Sequence, residues 1–282
     1  MVPVDGGTIE SGTVLIDDGK IVAVGSEADV DVPDDAEIVD ASDCWVLPGF
    51  VESHGHVGIG EEGLGWEGRD YNEMTDPNGA RLRAIDGINP DDEGFRDALS
   101  GGVTTVVVKP GSGNPIGGQT VAVKAWGRTV EDMVLLDPAS VKSALGENPK
   151  RVYGEQKKLP STRLGVAAVI RDAFTGAQDY KHRKENAIRD GKPFERDNTF
   201  EALVRVLDGE VPWCQHCHRA DDIVTAIRLA DQFGYRLVVN HGTEGHLLAD
   251  TLAERDIPVN SGPMITGMSR SARVSASRCP SV

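Results

Sequence analysis

Two short apolar runs close to the N-terminus predict a β-hairpin. Residues 12–16 and 20–25 are rich in β-branched side chains, and Asp17-Asp18-Gly19 separates them. An Asp-Gly pair between two such runs is a strong signal for a tight turn that joins antiparallel strands. The hairpin lies within residues 1–47, which we interpret as the N-terminal part of a small β-domain.

Further along the chain, predicted helices alternate with predicted strands. A helix over 92–99 precedes the β-branched strand 103–108, and apolar residues at helical spacing predict another helix over 164–180. The helix predicted over 221–233 has Gly234 in place to end it, and the strand 235–239 follows. Strands that alternate with helices in this way favour an α/β fold with a parallel sheet or barrel.

Three segments do not fit this alternation. Residues 133–147 contain strand-like runs that are too closely spaced for a normal crossover, so barrel strands three and four stay unassigned. Residues 60–92 lack periodicity and predict a long loop that covers an active site. Residues 109–119 are rich in glycine, but they have no Gly-Lys-Ser/Thr and no helix start after them. A loop that faces a substrate is therefore favoured there over a phosphate-binding loop.

Histidines stand where three apolar strands end. His54 and His56 are two residues apart after the run that ends in Phe50-Val51, and on a strand this spacing puts both imidazoles on one face. His216 and His218 repeat the spacing after Val211-Pro212-Trp213, and His241 ends the strand 235–239. Neutral imidazoles at strand ends are typical ligands of a divalent metal ion. His182 and His246 lie in polar or helical surroundings, and we interpret them as surface residues.

The cysteines admit one competing interpretation. Residues 214–218 match the Cys-x-x-Cys-His pattern of covalent haem attachment. The segment follows a strand and does not open a helix, and attachment normally requires export, so two small residues at a strand end are the preferred interpretation. Four cysteines in 282 residues do not make a disulfide framework.

The net charge of −16 limits the kinds of partner. It argues against nucleic acid and anionic membrane surfaces, and leaves a small-molecule substrate as the expected partner. Asp outnumbers Glu and Arg outnumbers Lys, which suits either a halophilic surface or an ordinary acidic protein. Without an apolar stretch of about 20 residues or a secretory leader at the N-terminus, the expected location is the cytoplasm.

The motif Pro48-Gly49-Phe50-Val51-Glu52-Ser53-His54-Gly55-His56 resembles the first-strand signature of the amidohydrolase superfamily. Residues 211–223 resemble its fifth-strand histidine region and residues 238–245 its sixth-strand region, and the imidazolonepropionase-related branch is the nearest match, over about residues 7–265. The resemblance implies a TIM-like (β/α) barrel over 48–265, preceded by a small N-terminal β-sandwich domain.

The resemblance also implies a ligand set. His54, His56, His216 and His241 match the metal ligands, and His218 is either an alternate ligand or a substrate contact with a catalytic role. We expect Glu147 to bridge two ions and to share in catalysis, whereas Lys109 or Lys142 would need carboxylation to do so. Zn²⁺ suits neutral imidazoles best, with Mn²⁺ or Fe²⁺ as alternatives if carboxylates contribute. The implied activity is hydrolysis of a C–N bond in a cyclic amide, amide or amidine-type substrate.

One departure from the family pattern concerns the C-terminal part. No Asp or Glu follows Asp256, so the acidic residue expected on strand eight has no candidate. With 257–260 as the seventh strand, the barrel is expected to be incomplete and to expose apolar side chains at Val46-Leu47 and Val238-Val239, which favours a homo-oligomer or aggregation. Residues 266–282 form an atypical tail, either out-of-frame or truncated sequence or a flexible basic segment. A non-catalytic, metal-binding remnant is therefore the alternative to an active hydrolase.

Overall fold

The structure is a computed structural model that describes residues 1–3 and 5–263. The predictions for the atypical tail fall outside this range. Contacts along the chain divide it into two compact units, Met1–Phe50 and Val51–Val282.

The first unit contains the predicted hairpin. Strand β1 (Gly12–Asp17) pairs antiparallel with strand β2 (Lys20–Ser26). The two residues between them, Asp18 and Gly19, have φ angles of 46° and 69°, as a tight hairpin turn with two left-handed residues requires. The hairpin prediction is therefore confirmed, while a β-sandwich around it stays a prediction.

The remaining strands form one seven-stranded sheet whose order follows the chain. Strands β4, β5 and β6 pair antiparallel, and β6, β7, β8 and β9 pair parallel. The seven strands are β3 (Phe50–Gly55), β4 (Val103–Val108), β5 (Ile116–Lys124), β6 (Val134–Ala144), β7 (Trp213–Cys217), β8 (Leu237–His241) and β9 (Val259–Ser261).

Helices lie between most of these strands. Several begin at side chains that accept backbone hydrogen bonds: Asp92 before α1, Thr162 before α4 and Asp197 before α5. The helices are α1 (Glu93–Ser100), α2 (Val130–Met133), α3 (Glu147–Glu155), α4 (Arg163–Arg189), α5 (Asn198–Leu207), α6 (Ala220–Phe233) and α7 (Ala249–Glu254). The predicted helices 92–99, 164–180 and 221–233 are thus confirmed, although α4 continues for nine residues beyond its prediction.

An aromatic cluster joins the helices to the parallel part of the sheet. Phe174 of α4 is fully buried, and its ring centroid lies 4.8 Å from that of Trp213 on β7 and 4.8 Å from that of Tyr235. Phe233, the last residue of α6, stacks on the Phe174 ring, with the two ring centroids 5.2 Å apart. These contacts hold α4 and α6 against β7, the strand that carries His216.

Two expectations about the sheet need correction. The alternation of strand and helix does not hold throughout, because β5 runs antiparallel between β4 and β6. The Gly-rich segment 109–119, which was predicted as a loop, provides the first residues of β5. The fold is therefore a mixed α/β, barrel-like fold rather than a regular alternating barrel. The expected exposure at Val238-Val239 is wrong for Val239, which is fully buried and pairs with Val259 of β9.

Among the described residues, no helix is long and apolar enough to cross a membrane.

Candidate metal centre

Five histidines meet at the ends of β3, β7 and β8. The ring centroid of His241 lies 4.7 Å from that of His54, 4.6 Å from that of His216 and 5.0 Å from that of His218. His56 joins the group through His54, at 5.4 Å, and His216 and His218 are 4.6 Å apart. We call these five residues the histidine cluster. The structure thus brings together every histidine that the sequence analysis selected.

The sheet must curve strongly to form this cluster. Strands β3 and β8 are five positions apart in the strand order. At about 4.8 Å per strand, five spacings in a flat sheet would separate them by roughly 24 Å. The 4.7 Å between the His54 and His241 rings therefore requires the sheet to roll up, as in a barrel.

Hydrogen bonds fix the rings of three members. The Nδ1–H group of His56 donates to the Lys109 carbonyl at 2.6 Å, and that of His241 donates to the Gly262 carbonyl at 2.5 Å. A carbonyl oxygen only accepts, so both rings carry their proton on Nδ1 and keep a free lone pair on Nε2. The Nδ1 atom of His218 lies 2.8 Å from the Thr243 hydroxyl.

The backbone at His241 is unusual. Its φ angle is +71°, in the left-handed region that few residues other than glycine adopt, and Gly242 follows with a φ angle of +51°. Such a conformation costs about 1–3 kcal/mol and persists where surrounding contacts impose it. The hydrogen bond to Gly262 is one such contact, and it orients the imidazole toward His54 and His216.

Burial keeps the cluster uncharged at neutral pH. It lowers the pKa of His54 to about 2, with the Lys142 ammonium as the second cause, and it lowers the pKa of His241 to about 4. The pKa of His216 falls well below its usual range, again through burial first and Lys142 second. Burial also lowers the pKa values of His56 and His218. Neutral imidazoles have lone pairs available for a metal ion.

Two buried lysines lie among the strands that carry the cluster. Lys109 donates to the Cys214 sulfur at 3.0 Å and to Asn240 Oδ1 at 3.4 Å, and Lys142 donates to the Pro110 carbonyl at 3.2 Å. Lys142 is fully buried, and its pKa is lowered to about 7 by desolvation. Its amine is thus partly neutral at pH 7.

Glu147, the predicted bridging ligand, is the first residue of α3. Its side chain is 57% exposed and lies 3.8 Å from the Arg163 guanidinium. Arg163 also makes a two-pronged ion pair with the buried Asp222, at 3.0 and 3.2 Å. The Glu147 carboxylate is close enough to raise the pKa of His218, against the larger effect of burial.

Three polar contacts of the cluster were not anticipated from the sequence. The Asn148 carboxamide reaches both His216 Nε2 and the Ser112 hydroxyl, and Thr243 holds His218. Their positions in the sequence could have identified them, because each follows the end of a strand: Ser112 follows β4, Asn148 follows β6 and Thr243 follows β8. His182 and His246 are exposed, as predicted.

The donor set fits a divalent ion in chemistry and in spacing. Two imidazoles that share a tetrahedral Zn²⁺ at about 2.1 Å have ring centroids roughly 5 Å apart, close to the 4.6–5.4 Å found between neighbouring rings. His54 Nδ1 and His216 Nδ1 are buried and have no hydrogen-bond partner within residues 1–3 and 5–263. In the same described residues, however, no group of three His, Cys, Asp or Glu side chains is already placed to hold a metal ion.

Known proteins with similar sequences are hydrolases of one superfamily. The amidohydrolase tasK of Hapsidospora irregularis is 32% identical over 264 residues, which is 86% of this chain and 27% of that protein. An imidazolonepropionase of Clostridium tetani is 34% identical over 122 residues, 37% of this chain and 29% of that protein. An imidazolonepropionase of Halobacterium salinarum is 33% identical over 129 residues, which is 38% of this chain and 31% of that protein. No protein-family model matches the chain.

A crystal structure of an amidohydrolase from Thermotoga maritima MSB8 has the same fold. The two chains are 48% identical and superpose with a TM-score of 0.87 over 90% of this chain and 66% of the other. The chain therefore spans about two thirds of this structural relative and between a quarter and a third of the three curated relatives named above. From the histidine motifs, the barrel-like sheet and these similarities, the chain belongs to the amidohydrolase superfamily and is related to the imidazolonepropionases.

Proposed function

We propose that this protein is a metal-dependent hydrolase that cleaves a C–N bond in a small cyclic amide, amide or amidine-type substrate. The observation that carries the proposal is the histidine cluster, in which burial keeps five imidazoles neutral at the ends of three strands. The names of the relatives agree with chemistry of this class.

His54, His56, His216 and His241 would hold the metal ion. Zn²⁺ suits these neutral imidazoles best, with Mn²⁺ or Fe²⁺ as alternatives. A divalent ion at this position would supply Lewis-acid chemistry, by polarising a substrate carbonyl and lowering the pKa of water. The hydrogen bonds from His56 and His241 to backbone carbonyls support this assignment, because they leave Nε2 of both rings free to bind.

His218 is the proposed acid–base group. When its Nδ1–H donates to the Thr243 hydroxyl, Nε2 is left as a proton acceptor. Its pKa is lowered, mainly by burial, so the ring is neutral at pH 7 and ready to accept a proton. Thr243 would then orient the ring and select its tautomer.

The oxygen ligand has three candidates, Glu147 and the two buried lysines Lys109 and Lys142. The predicted bridge, Glu147, is exposed and engaged with Arg163, so it would have to turn to reach a metal ion. Lys142 is buried among the strands that carry the histidines, and its partly neutral amine could react with carbon dioxide to form a carbamate with loss of a proton. The buried position favours Lys142 over Glu147 if the site binds two ions.

A non-catalytic metal-binding protein is the second candidate function. In the part of the chain that the structure describes, none of the five imidazoles hydrogen-bonds to a carboxylate. Loss of a carboxylate base typically lowers a rate by about 10²–10⁴-fold, which would leave binding without useful turnover.

Metal analysis of the purified chain tests the proposed centre. We expect bound zinc in the wild type and its loss in the double variant His54→Ala/His241→Asn, where Asn tolerates the left-handed backbone at position 241. The matched control is His182→Ala/His246→Ala, which removes two exposed histidines and should keep the metal. Undiminished zinc in the first double variant would refute the centre.

Turnover distinguishes the two functions. The zinc-loaded chain is offered a panel of cyclic amides, N-acyl amino acids and amidines. Hydrolysis that stops on chelation and returns with zinc supports the hydrolase, whereas metal binding without hydrolysis of any panel member favours the non-catalytic alternative.

A further inference from the structure

Asn148 makes a contact to the histidine cluster that the family resemblance did not supply. It is the second residue of α3, directly after Glu147. Its Nδ2 atom lies 2.8 Å from the Ser112 hydroxyl oxygen and 3.3 Å from His216 Nε2. His216 is only 4% exposed, and its other ring nitrogen, Nδ1, is buried and has no hydrogen-bond partner among the residues that the structure describes.

The carboxamide orientation determines which nitrogen of His216 carries the proton. With Nδ2 facing the ring, Nε2 must accept, and the proton of the neutral imidazole lies on Nδ1. That placement buries an N–H group that has no acceptor, which is unfavourable. A neutral imidazole has only one N–H group, so the two nitrogens cannot both donate.

Turning the carboxamide by 180° removes the conflict. The oxygen and nitrogen of an Asn side chain have nearly the same shape, and the hydrogen-bond network decides between them. After the turn, Oδ1 accepts from His216 Nε2–H and from the Ser112 hydroxyl. Asn148 Oδ1 accepts no hydrogen bond from the described residues as placed, so the turn breaks none.

We propose that Asn148 is a positioning residue that holds His216 with its proton on Nε2 and leaves the Nδ1 lone pair for the metal ion; this inference rests on the proposed function. The other ligands have comparable acceptors, since carbonyl oxygens fix the rings of His56 and His241. Those two rings are held at Nδ1 and would bind through Nε2. His216 is held at the opposite nitrogen, so it would bind through Nδ1.

Two substitutions at Asn148 separate hydrogen bonding from packing. Asn148→Asp keeps an acceptor for His216 Nε2–H, whereas Asn148→Leu has a similar size and no acceptor. Zinc affinity is measured by competition with a chelator. We expect Asn148→Leu to bind zinc about 10–100-fold more weakly than the wild type, and Asn148→Asp to stay within a few-fold. Asn198→Leu, in the exposed first turn of α5, is the matched control and should leave the affinity unchanged.

A second measurement reports the tautomer directly. Long-range ¹H–¹⁵N spectra of the imidazoles in the zinc-loaded wild type should show His216 with a proton on Nε2 and metal on Nδ1. Metal on His216 Nε2, equal weakening in both Asn148 variants, or wild-type affinity in Asn148→Leu would each overturn the inference while the zinc centre stands. A wild type that binds no zinc would instead overturn the proposed function and this inference with it.

Discussion

His241 carries more of the site's constraints than any other single residue. It combines a left-handed backbone, a 2.5 Å hydrogen bond from Nδ1 to a carbonyl, and ring contacts to three other histidines. Each constraint limits where the imidazole can point. Together they hold a neutral nitrogen in the histidine cluster, which lowers the cost of ordering the proposed metal site.

The lowered pKa of His241 makes the metal-free protein sensitive to acid. The pKa is about 4 in the folded state and about 6.5 in the unfolded chain, so the unfolded state binds the proton first as the pH falls. The stability due to the neutral ring is present above about pH 6.5 and is lost as the pH falls toward 4.

We expect His241→Asn to reduce this loss. Between pH 6.5 and 4, in the presence of chelator, the free energy of unfolding of the variant should fall by roughly 1–3 kcal/mol less than that of the wild type. Urea unfolding at several pH values measures the difference. His182→Asn, at an exposed position, should follow the wild-type profile, and parallel profiles for all three proteins would contradict the assigned pKa.

At the scale of the elements, α4 shows how a helix supports the strand that carries His216. The sequence predicted its first part from apolar residues at helical spacing. The helix continues to Arg189, and in this part Lys184 pairs with Glu201 of α5 at 2.6 Å and Lys181 pairs with Asp208. Those polar residues carry no hydrophobic period, so the apolar pattern did not predict this part of the helix.

The aromatic contact between α4 and β7 should dominate the stability of this part. Phe174→Ala removes a fully buried ring and is expected to lower the free energy of unfolding by about 3–5 kcal/mol. Chemical denaturation measures this loss. Ile188→Ala, on the same helix but 69% exposed, should cost less than about 1 kcal/mol. Similar losses in the two variants would mean that Phe174 does not pack as described.

Strand β5 is an element that the sequence pattern did not predict. Its first residues, Ile116-Gly117-Gly118, belong to a Gly-rich stretch that predicts a loop, and Gly118 has a φ angle of +131°. The strand forms because it pairs with β4 on one side and β6 on the other. This pairing joins strands that follow one another in the chain, but it depends on contacts with both neighbours, which the apolar pattern of one segment does not encode.

At the scale of the whole molecule, the excess of acidic side chains produces long-range electrostatic repulsion within the protein. A net charge of −16 on 282 residues destabilises the folded state relative to the unfolded chain, because like charges repel more strongly when the chain is compact. Added salt shortens the Debye length from about 30 Å at 0.01 M to about 8 Å at 0.15 M and weakens this repulsion.

We therefore expect salt to stabilise the protein. The midpoint of thermal unfolding should rise by a few degrees between 0.01 M and 0.15 M NaCl. A further rise toward molar salt would favour the halophilic interpretation of the composition, whereas a plateau would favour an ordinary acidic protein. A midpoint that falls over the first interval would show that favourable ion pairs, such as Arg163 with Asp222, outweigh the net repulsion.

The sequence by itself determined that histidines stand at the strand ends, together with helices such as α6, which ends at the left-handed Gly234. Those features depend on local periodicity and on residues with particular backbone preferences. Only the tertiary structure decided that the sheet curls until His54 meets His241, that Glu147 is exposed while Lys142 is buried, and that Asn148 reaches His216. The physical reason is that strand pairing, burial and side-chain hydrogen bonds join residues distant in the chain, whose meeting depends on the packing of the whole molecule.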